Sequence, residues 1–146
     1  MIAVDTNILV YAHRADSEFH EMALEVIVQL AEGRSAWAIP WPCIHEFLAI
    51  TTHPRIFAPP TSMPSACDQV DAWLESPSLN LIGEDEAHWS TLRPLLEEGR
   101  IAGPRVHDAR IAALCLRHGV TELLSADRDF SRFPALRVRN PLVERS

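Results

Sequence analysis

The sequence predicts an α/β fold: a short parallel β-sheet of about five strands, flanked by helices on both faces. Short apolar runs alternate with helical patterns along the whole chain, and this alternation is typical of βαβ units. The 146 residues are a natural size for one domain with one core. No linker, internal repeat or low-complexity tract interrupts the pattern, so we expect a single domain over residues 1–146.

The first strand and the first long helix are predicted by contrasting apolar patterns. "MIAV" is a short apolar run that stops at Asp5, as expected of a buried strand. Apolar residues recur at helical spacing from Phe19 to Leu30 with acids between them, which predicts an amphipathic helix. We expect Asp16 or Ser17 to be its N-cap and Gly33 to end it.

The middle of the chain predicts a strand and two helices. "AWAI" (36–39) is the strand, and Pro42 suits the first turn of a helix through the apolar "CIHEFLAITTH", which runs to Pro54. The Pro-rich segment 54–64 predicts a loop. A second helix is expected from Pro64 to Glu75, with these side chains inward: Ala66, Cys67, Val70, Trp73 and Leu74.

The last part of the chain repeats the alternation. "LNLI" (79–82) predicts a strand and residues 85–98 a helix, which Pro94 should kink or split. Pro104 then opens a helix through "RVHDARIAALCLRH", and Gly119 closes it. The remaining predictions are a strand at "ELLS" (122–125), a turn or short helix at "DRDFSRF" and a last strand at "LRVR" (136–139).

Charge and hydrophobicity limit the classes of function. The net charge is −7, which argues against nonspecific nucleic-acid binding by a basic face, although bound divalent cations would reverse the field of an acidic pocket. No apolar run reaches the roughly 18 residues that span a bilayer, and no signal-peptide pattern is present. We therefore expect a cytoplasmic protein without a membrane segment. Widely spaced Cys43, Cys67 and Cys115 predict buried free thiols.

Four acids lie where acids are not expected. Asp5 ends an apolar strand, Glu46 lies in a mostly apolar helix, Asp108 precedes an apolar helix, and Asp127 follows a strand. Each has an ordinary structural explanation. Asp5 can cap a following helix, and Glu46 can lie at a solvent-exposed edge of its helix beside His45. The charge of Asp108 can interact favourably with the dipole at the start of a helix, and Asp127 can stabilise a turn.

Together the four acids suggest a metal site. In a parallel sheet the carboxyl ends of the strands and the starts of the helices that follow them lie at one edge, where ligands bind. Four carboxylates converging there would repel one another unless protons or cations intervened. Oxygen ligands of this kind suit Mg²⁺ or Mn²⁺, and such cations can promote phosphodiester hydrolysis.

Four segments in this order resemble a known family. "VDTNILVYA", "CIHEFLAI", "RVHDARIAALCLRHG" and "LLSADRDFSRF" are similar to the PIN domain, and more narrowly to the VapC toxins of bacterial toxin–antitoxin (VapBC) pairs. The resemblance covers nearly the whole chain. It implies a PIN-like fold and a Mg²⁺- or Mn²⁺-dependent endoribonuclease that hydrolyses RNA phosphodiesters with metal-activated water.

The resemblance also implies the site residues and partners. The family's four acids fall on Asp5, Glu46, Asp108 and Asp127. We expect Asp5 and Asp108 to bind the first cation directly, and Glu46 and Asp127 to complete the acidic ring. Supporting positions are expected at Thr6, Asn7, Ser125 and Asp129. The implied partners are an RNA substrate, with tRNA and rRNA as candidates, a VapB-type antitoxin and a second copy in a homodimer.

Asp129 and five arginines have more than one role open to them. Asp129 can bind a second cation or cap the "FSRF" turn, and the sequence favours neither. Substrate phosphates need positive charge, and five arginines in or beside the motif segments are candidates for supplying it: Arg14, Arg100, Arg105, Arg110 and Arg128.

Two other classes of function remain open. A catalytically silent PIN-like interaction module would be indicated by a missing acid, and none is missing. A Mg²⁺-dependent phosphatase of the haloacid dehalogenase type would want a second Asp where Asn7 lies, and a phosphotransfer receiver domain would want a late Lys. The chain has no lysine.

Overall fold

A computed structural model describes residues 1–143 and shows five parallel strands in the order β3-β2-β1-β4-β5. Ala3 of the central strand lies opposite Ala38 on one side and Leu123 on the other. The five strands have these bounds: β1 Ile2–Val4, β2 Trp37–Pro40, β3 Leu79–Ile82, β4 Glu122–Leu124 and β5 Val138–Arg139.

Helices connect the strands. Six α-helices and two 3-10 turns lie in the described residues: α1 Thr6–His13, α2 His20–Glu32, α3 Trp41–Thr51, α4 Met63–Leu74, α5 His88–Glu98, α6 Val106–Arg117, and the 3-10 turns Gly103–Arg105 and Arg128–Arg132. The chain moves from β1 to β2 to β3 in one direction across the sheet, then returns to β4 on the other side of β1. Because such crossovers are right-handed, the helices before and after β3 cover opposite faces. The predicted fold class is confirmed.

The reversal of strand order lies between β1 and β4. The backbone N–H of Asp5 donates to the carbonyl of Leu124 at 2.9 Å, which joins the ends of the two strands. Val4 and Leu124 are buried in the core, so the strands stop where polar residues begin. This is the edge at which open α/β sheets bind ligands.

The boundaries differ from the predicted ones in a few places. Helix α2 begins at His20 instead of following Asp16 or Ser17, because these two residues stabilise the preceding turn. The Ser17 hydroxyl accepts from the backbone N–H of Phe19 at 3.1 Å, and Asp16 pairs with Arg14 at 2.7 Å. The predicted stop at Gly33 is confirmed. Helix α3 ends at Thr51, short of Pro54.

Helix α4 buries a narrower stripe than we predicted. Ala66 and Trp73 are buried and Val70 packs against the core, whereas Cys67 and Leu74 are exposed. The prediction was wrong for Cys67 and Leu74. Each follows a buried residue by one position, which is about 100° around the helix. Cys43 and Cys115 are buried free thiols as predicted.

Pro94 does not split helix α5, which is continuous from His88 to Glu98. Proline removes the hydrogen bond to the carbonyl four residues earlier, here that of Ser90. Ser90 is exposed, so water can satisfy its carbonyl. Pro104 lies in the 3-10 turn that leads into α6, and Gly119 follows the helix with φ of +73°. Over the described residues, none of the helices combines the length and hydrophobicity that a membrane span requires.

Candidate active site

Asp5 is the most buried acid at the carboxyl edge of the sheet, with 5% of its surface exposed. It is the N-cap of α1, since its Oδ1 accepts from the backbone N–H of Thr6 at 2.8 Å. Its Oδ2 accepts from the hydroxyl of Ser125 at 2.7 Å. Burial raises the pKa of Asp5, and the nearby Glu46 raises it further, whereas these hydrogen bonds lower it.

Asn7 and Ser125 tie the end of β1 to the end of β4. The amide nitrogen of Asn7 lies 3.3 Å from the Ser125 hydroxyl and 3.5 Å from Asp5 Oδ2. The amide oxygen of Asn7 accepts from the backbone N–H of Ala126 at 3.1 Å. The Ser125 hydroxyl also accepts from the backbone N–H of Asp127 at 3.0 Å. These contacts explain why polar residues follow both strands.

Glu46 joins the site from helix α3. The hydroxyl of Thr6 donates to Glu46 Oε2 at 3.0 Å, so the first residue of α1 orients an acid on another helix. The thiol of Cys43 lies 3.6 Å from Asp5 Oδ1 and donates to it. Sequence reasoning missed this role of Cys43. The available signal was its position three residues before Glu46, on the same side of the helix.

Asp108 lies in the first turn of α6 and faces the other acids. The pKa of Asp108 is raised to about 6. Partial burial is the largest cause, and the negative charges of Asp127, Asp5, Asp129 and Glu46 raise the pKa further. All five acids therefore contribute to one negative field. A carboxylate in such a field gains from a bound proton or cation.

Asp127 and Asp129 complete the cluster from the turn after β4. One carboxylate oxygen from each of Asp108, Asp127 and Asp129 lies within 4.8 Å of the others, close enough to share one cation. Asp127 is half-buried and caps the turn, because its Oδ1 accepts from the backbone N–H of Asp129 at 2.8 Å. Asp127, not Asp129, is thus the cap of this turn.

The acids form two connected groups. Asp5 and Glu46 are held by hydrogen bonds from Thr6, Ser125 and Cys43, whereas the mutually close set contains Asp108, Asp127 and Asp129. That Asp5 and Asp108 bind the first cation directly stays a prediction. The donor set is entirely carboxylate oxygen, which suits Mg²⁺ or Mn²⁺ better than a softer metal.

Two of the five candidate arginines, Arg14 and Arg110, pair with groups outside the acid cluster. Arg14 pairs with Asp16 and lies 4.3 Å from the centre of the Phe57 ring. Arg110 pairs with Glu84. Arg105 approaches the cluster, with its Nη2 atom 3.9 Å from Asp129 Oδ1. Arg105 is therefore the candidate arginine that forms an ion pair with one of the clustered acids.

Comparisons with known proteins find a matching family model and similar chains. A family model described as PIN domain matches residues 2–136. Ribonuclease VapC43 of Mycobacterium tuberculosis is 38% identical over 142 residues, which are 97% of this chain and 96% of that protein. The four acids thus lie within a chain whose relatives carry the name ribonuclease.

Solved structures share the fold. VapBC2 from Rickettsia felis, bound to a DNA fragment from its promoter, superposes with a TM-score of 0.66 at 22% identity, covering 96% of this chain and 98% of that one. The sarcin–ricin loop cleaving toxin VapC20 of Mycobacterium tuberculosis has a TM-score of 0.66 at 15% identity, covering 90% and 93%. By its family match and its similarity to VapC43, this chain belongs to the PIN-domain family, in its VapC ribonuclease group.

Proposed function

We propose that this chain is a divalent-metal-dependent endoribonuclease, hydrolysing RNA phosphodiesters as the toxin of a VapBC pair in the cytoplasm. One observation carries the proposal. Asp108 is half-buried among four other acids, and its pKa is raised to about 6. A structural role would not require so many like charges at one edge, because their repulsion destabilises the fold. Cation binding explains them.

Mg²⁺ or Mn²⁺ would be held by Asp5, Glu46, Asp108 and Asp127, with Asp129 as a further acid. When bound, the cation supplies Lewis-acid charge at the scissile phosphate and an acidified water. The leaving oxygen is the 3′ one, which gives a 5′-phosphate product. Preference for RNA over DNA then depends on recognition of the 2′-hydroxyl and of strand shape.

The remaining polar residues orient the acids. Ser125 donates to Asp5 and Thr6 donates to Glu46, so each carboxylate keeps one preferred direction when no cation is bound. Such outer hydrogen bonds commonly affect metal affinity about 10- to 100-fold. Arg105 would place positive charge beside Asp129, where it can attract a substrate phosphate.

The proposed partners are an RNA, with tRNA and rRNA as candidate targets, a VapB-type antitoxin and a second copy of the chain. The similarity to VapC43 and the VapBC2 neighbour support the antitoxin. The homodimer follows from the family resemblance alone. Light scattering at high micromolar concentration tests it, and a strict monomer would count against it.

Cleavage of RNA by the purified protein tests the central proposal. We expect Mg²⁺ or Mn²⁺ to support cleavage, EDTA to stop it and Asp108→Asn to abolish it. Asp68→Asn, an exposed acid on α4, is the matched control and should cut at the wild-type rate. Cleavage by Asp108→Asn at the wild-type rate would refute the assignment. Mapping the 5′ ends of cellular RNA after brief induction would then identify the target.

A further inference from the structure

A groove of about 660 Å³ adjoins the acids on the side of β5. Its wall begins with Ser125, Ala126 and Asp127, so it shares residues with the candidate active site. It continues along the turn that follows Asp127 and reaches Asn140 beyond β5. The volume lies within the roughly 300–1,000 Å³ of small-ligand sites.

The groove occupies the carboxyl edge of the sheet, as the acids do. The backbone N–H of Ser125 donates to the carbonyl of Arg139 at 3.0 Å, which brings the ends of β4 and β5 together. Asn140 follows β5 in the way that Ser125 follows β4. Polar residues therefore continue along one edge from Asp5 to Asn140, in the region where α/β sheets bind ligands.

The lining of the groove combines an apolar floor with a few polar groups. Phe130 and Phe133 are buried side chains in its wall, and Arg128 and Ser131 lie at the exposed turn. Asn140 is half-buried, and its amide oxygen accepts from the backbone N–H of Leu142 at 3.0 Å. Within residues 1–143 the amide nitrogen of Asn140 has no hydrogen-bond partner, so it is one of the donors that can contact a ligand.

The geometry points to this groove as the binding site for one nucleotide of a single-stranded RNA that lies across the acids. The inference rests on the proposed function. Because Asp127 belongs to both sites, a strand whose phosphate meets the acids brings its neighbouring nucleotide to the groove. A base offers apolar faces to the floor and hydrogen-bonding edges to Ser131 and Asn140. Arg128 attracts the adjoining phosphate.

RNA binding without cleavage tests the inference directly. The probe is a short fluorescein-labelled single-stranded RNA pool, and the protein carries Asp108→Asn in EDTA so that no strand is cut. Ser131→Phe fills the groove and should weaken binding about tenfold. Ser90→Phe, at an exposed serine on α5, is the control and should bind as the parent does. Melting temperatures check that all variants are folded.

A second variant tests base recognition. Asn140→Asp keeps an oxygen for the Leu142 N–H but removes the amide donor. In the active protein it should change the base preference at one position beside the cut. Asn80→Asp in β3 adds the same charge at the opposite edge of the sheet and should leave the preference unchanged.

The outcomes separate this inference from the proposed function. If the wild-type protein cuts no RNA but Ser131→Phe still weakens RNA binding, the proposed function fails and the groove remains an RNA site. If both groove variants bind and cut RNA as their controls do, the inference is wrong. Loss of antitoxin binding with unchanged RNA binding would also overturn it, because the groove would then hold a protein segment.

Discussion

Asp5 is both a helix cap and a member of the acid cluster. The sequence presents these as alternatives, and the structure makes them compatible because a carboxylate has two oxygens. Oδ1 accepts from the backbone N–H of Thr6, and Oδ2 accepts from the Ser125 hydroxyl. The cap depends on adjacent residues and was predictable. The contact with Ser125 joins residues 120 positions apart and depends on the pairing of β1 with β4, which no local pattern specifies.

Asp108 should make the stability of the metal-free protein depend on pH. Its pKa in the folded protein is about 6, against an ordinary value of 3.8, so the folded protein binds more protons than the unfolded chain between these values. Stability from this group therefore falls as pH rises towards 6 and stays low above it. Solvent screening of the half-exposed carboxyl limits the effect.

The Asp108→Asn variant isolates this contribution. Its melting temperature in EDTA should exceed that of the wild type above pH 6, and the gap should shrink as the pH falls below 6. Comparing the two proteins removes the opposing contributions of Asp16 and Glu84, whose pKa values are lowered by Arg14 and Arg110. A gap that is the same at every pH would show that neither burial nor the neighbouring acids raise the pKa of Asp108.

Asp127 and Asp129 should differ in their importance for cleavage. Both have an oxygen close to Asp108. Asp127 is half-buried and fixed by its contact with the backbone of residue 129, whereas Asp129 is half-exposed beside Arg105. We expect Asp127→Asn to reduce the cleavage rate by about 100-fold or more and Asp129→Asn to reduce it less. Asn can still cap the turn at position 127, so both variants should fold.

Cleavage rates across a Mn²⁺ titration distinguish these roles. A larger loss for Asp129→Asn, restored by excess Mn²⁺, would reverse the ranking and place Asp129 directly on the cation. The sequence could not choose between capping and metal binding for Asp129. The answer depends on which carboxylate accepts the hydrogen bond from the backbone N–H of the turn. In the structure the acceptor is Asp127.

The secondary-structure elements were predicted well where the pattern is local. Each predicted strand overlaps an observed strand, and Gly33, Pro42 and Gly119 mark helix ends or first turns as expected. The errors concern how elements pack. The buried stripe of α4 is set by its contact with α3, including the ring of Trp73 whose centre lies 4.7 Å from that of Phe47. Helical spacing alone cannot specify that contact.

The strand order was the least predictable part of the fold. Alternation of strands and helices predicts a parallel sheet, but it does not specify that β4 returns to the far side of β1. That return creates the edge where Asp5 and Ser125 meet. That the acids lie near one another was predictable because four of them interrupt apolar patterns. The detailed geometry, including the contact of Cys43 with Asp5, depends on the strand order.

The whole molecule combines acidic charge with exposed apolar side chains. Its net charge is −7, and several acids lie at one edge. Large hydrophobic side chains are exposed on several helices, among them Leu24 and Val28 on α2 and Trp89 on α5. Exposed apolar groups on the helices can supply affinity for a partner protein, and the acidic edge favours a basic segment of that partner.

The proposed antitoxin should therefore place an arginine or lysine among the acids. Exposed charges are screened by salt, so the affinity of the complex should fall as ionic strength rises. Asp108→Asn should weaken binding and reduce this salt dependence, because it removes a negative charge from the cluster. Asp68→Asn on α4 changes the net charge equally but lies on an exposed helix face, and it should retain nearly the wild-type affinity.

Titration calorimetry of both variants at two salt concentrations makes the comparison. Equal loss in the two variants would mean that only net charge matters. Equal affinity to the wild type in both, with no salt dependence, would mean that the antitoxin binds through the apolar helices without entering the acidic edge.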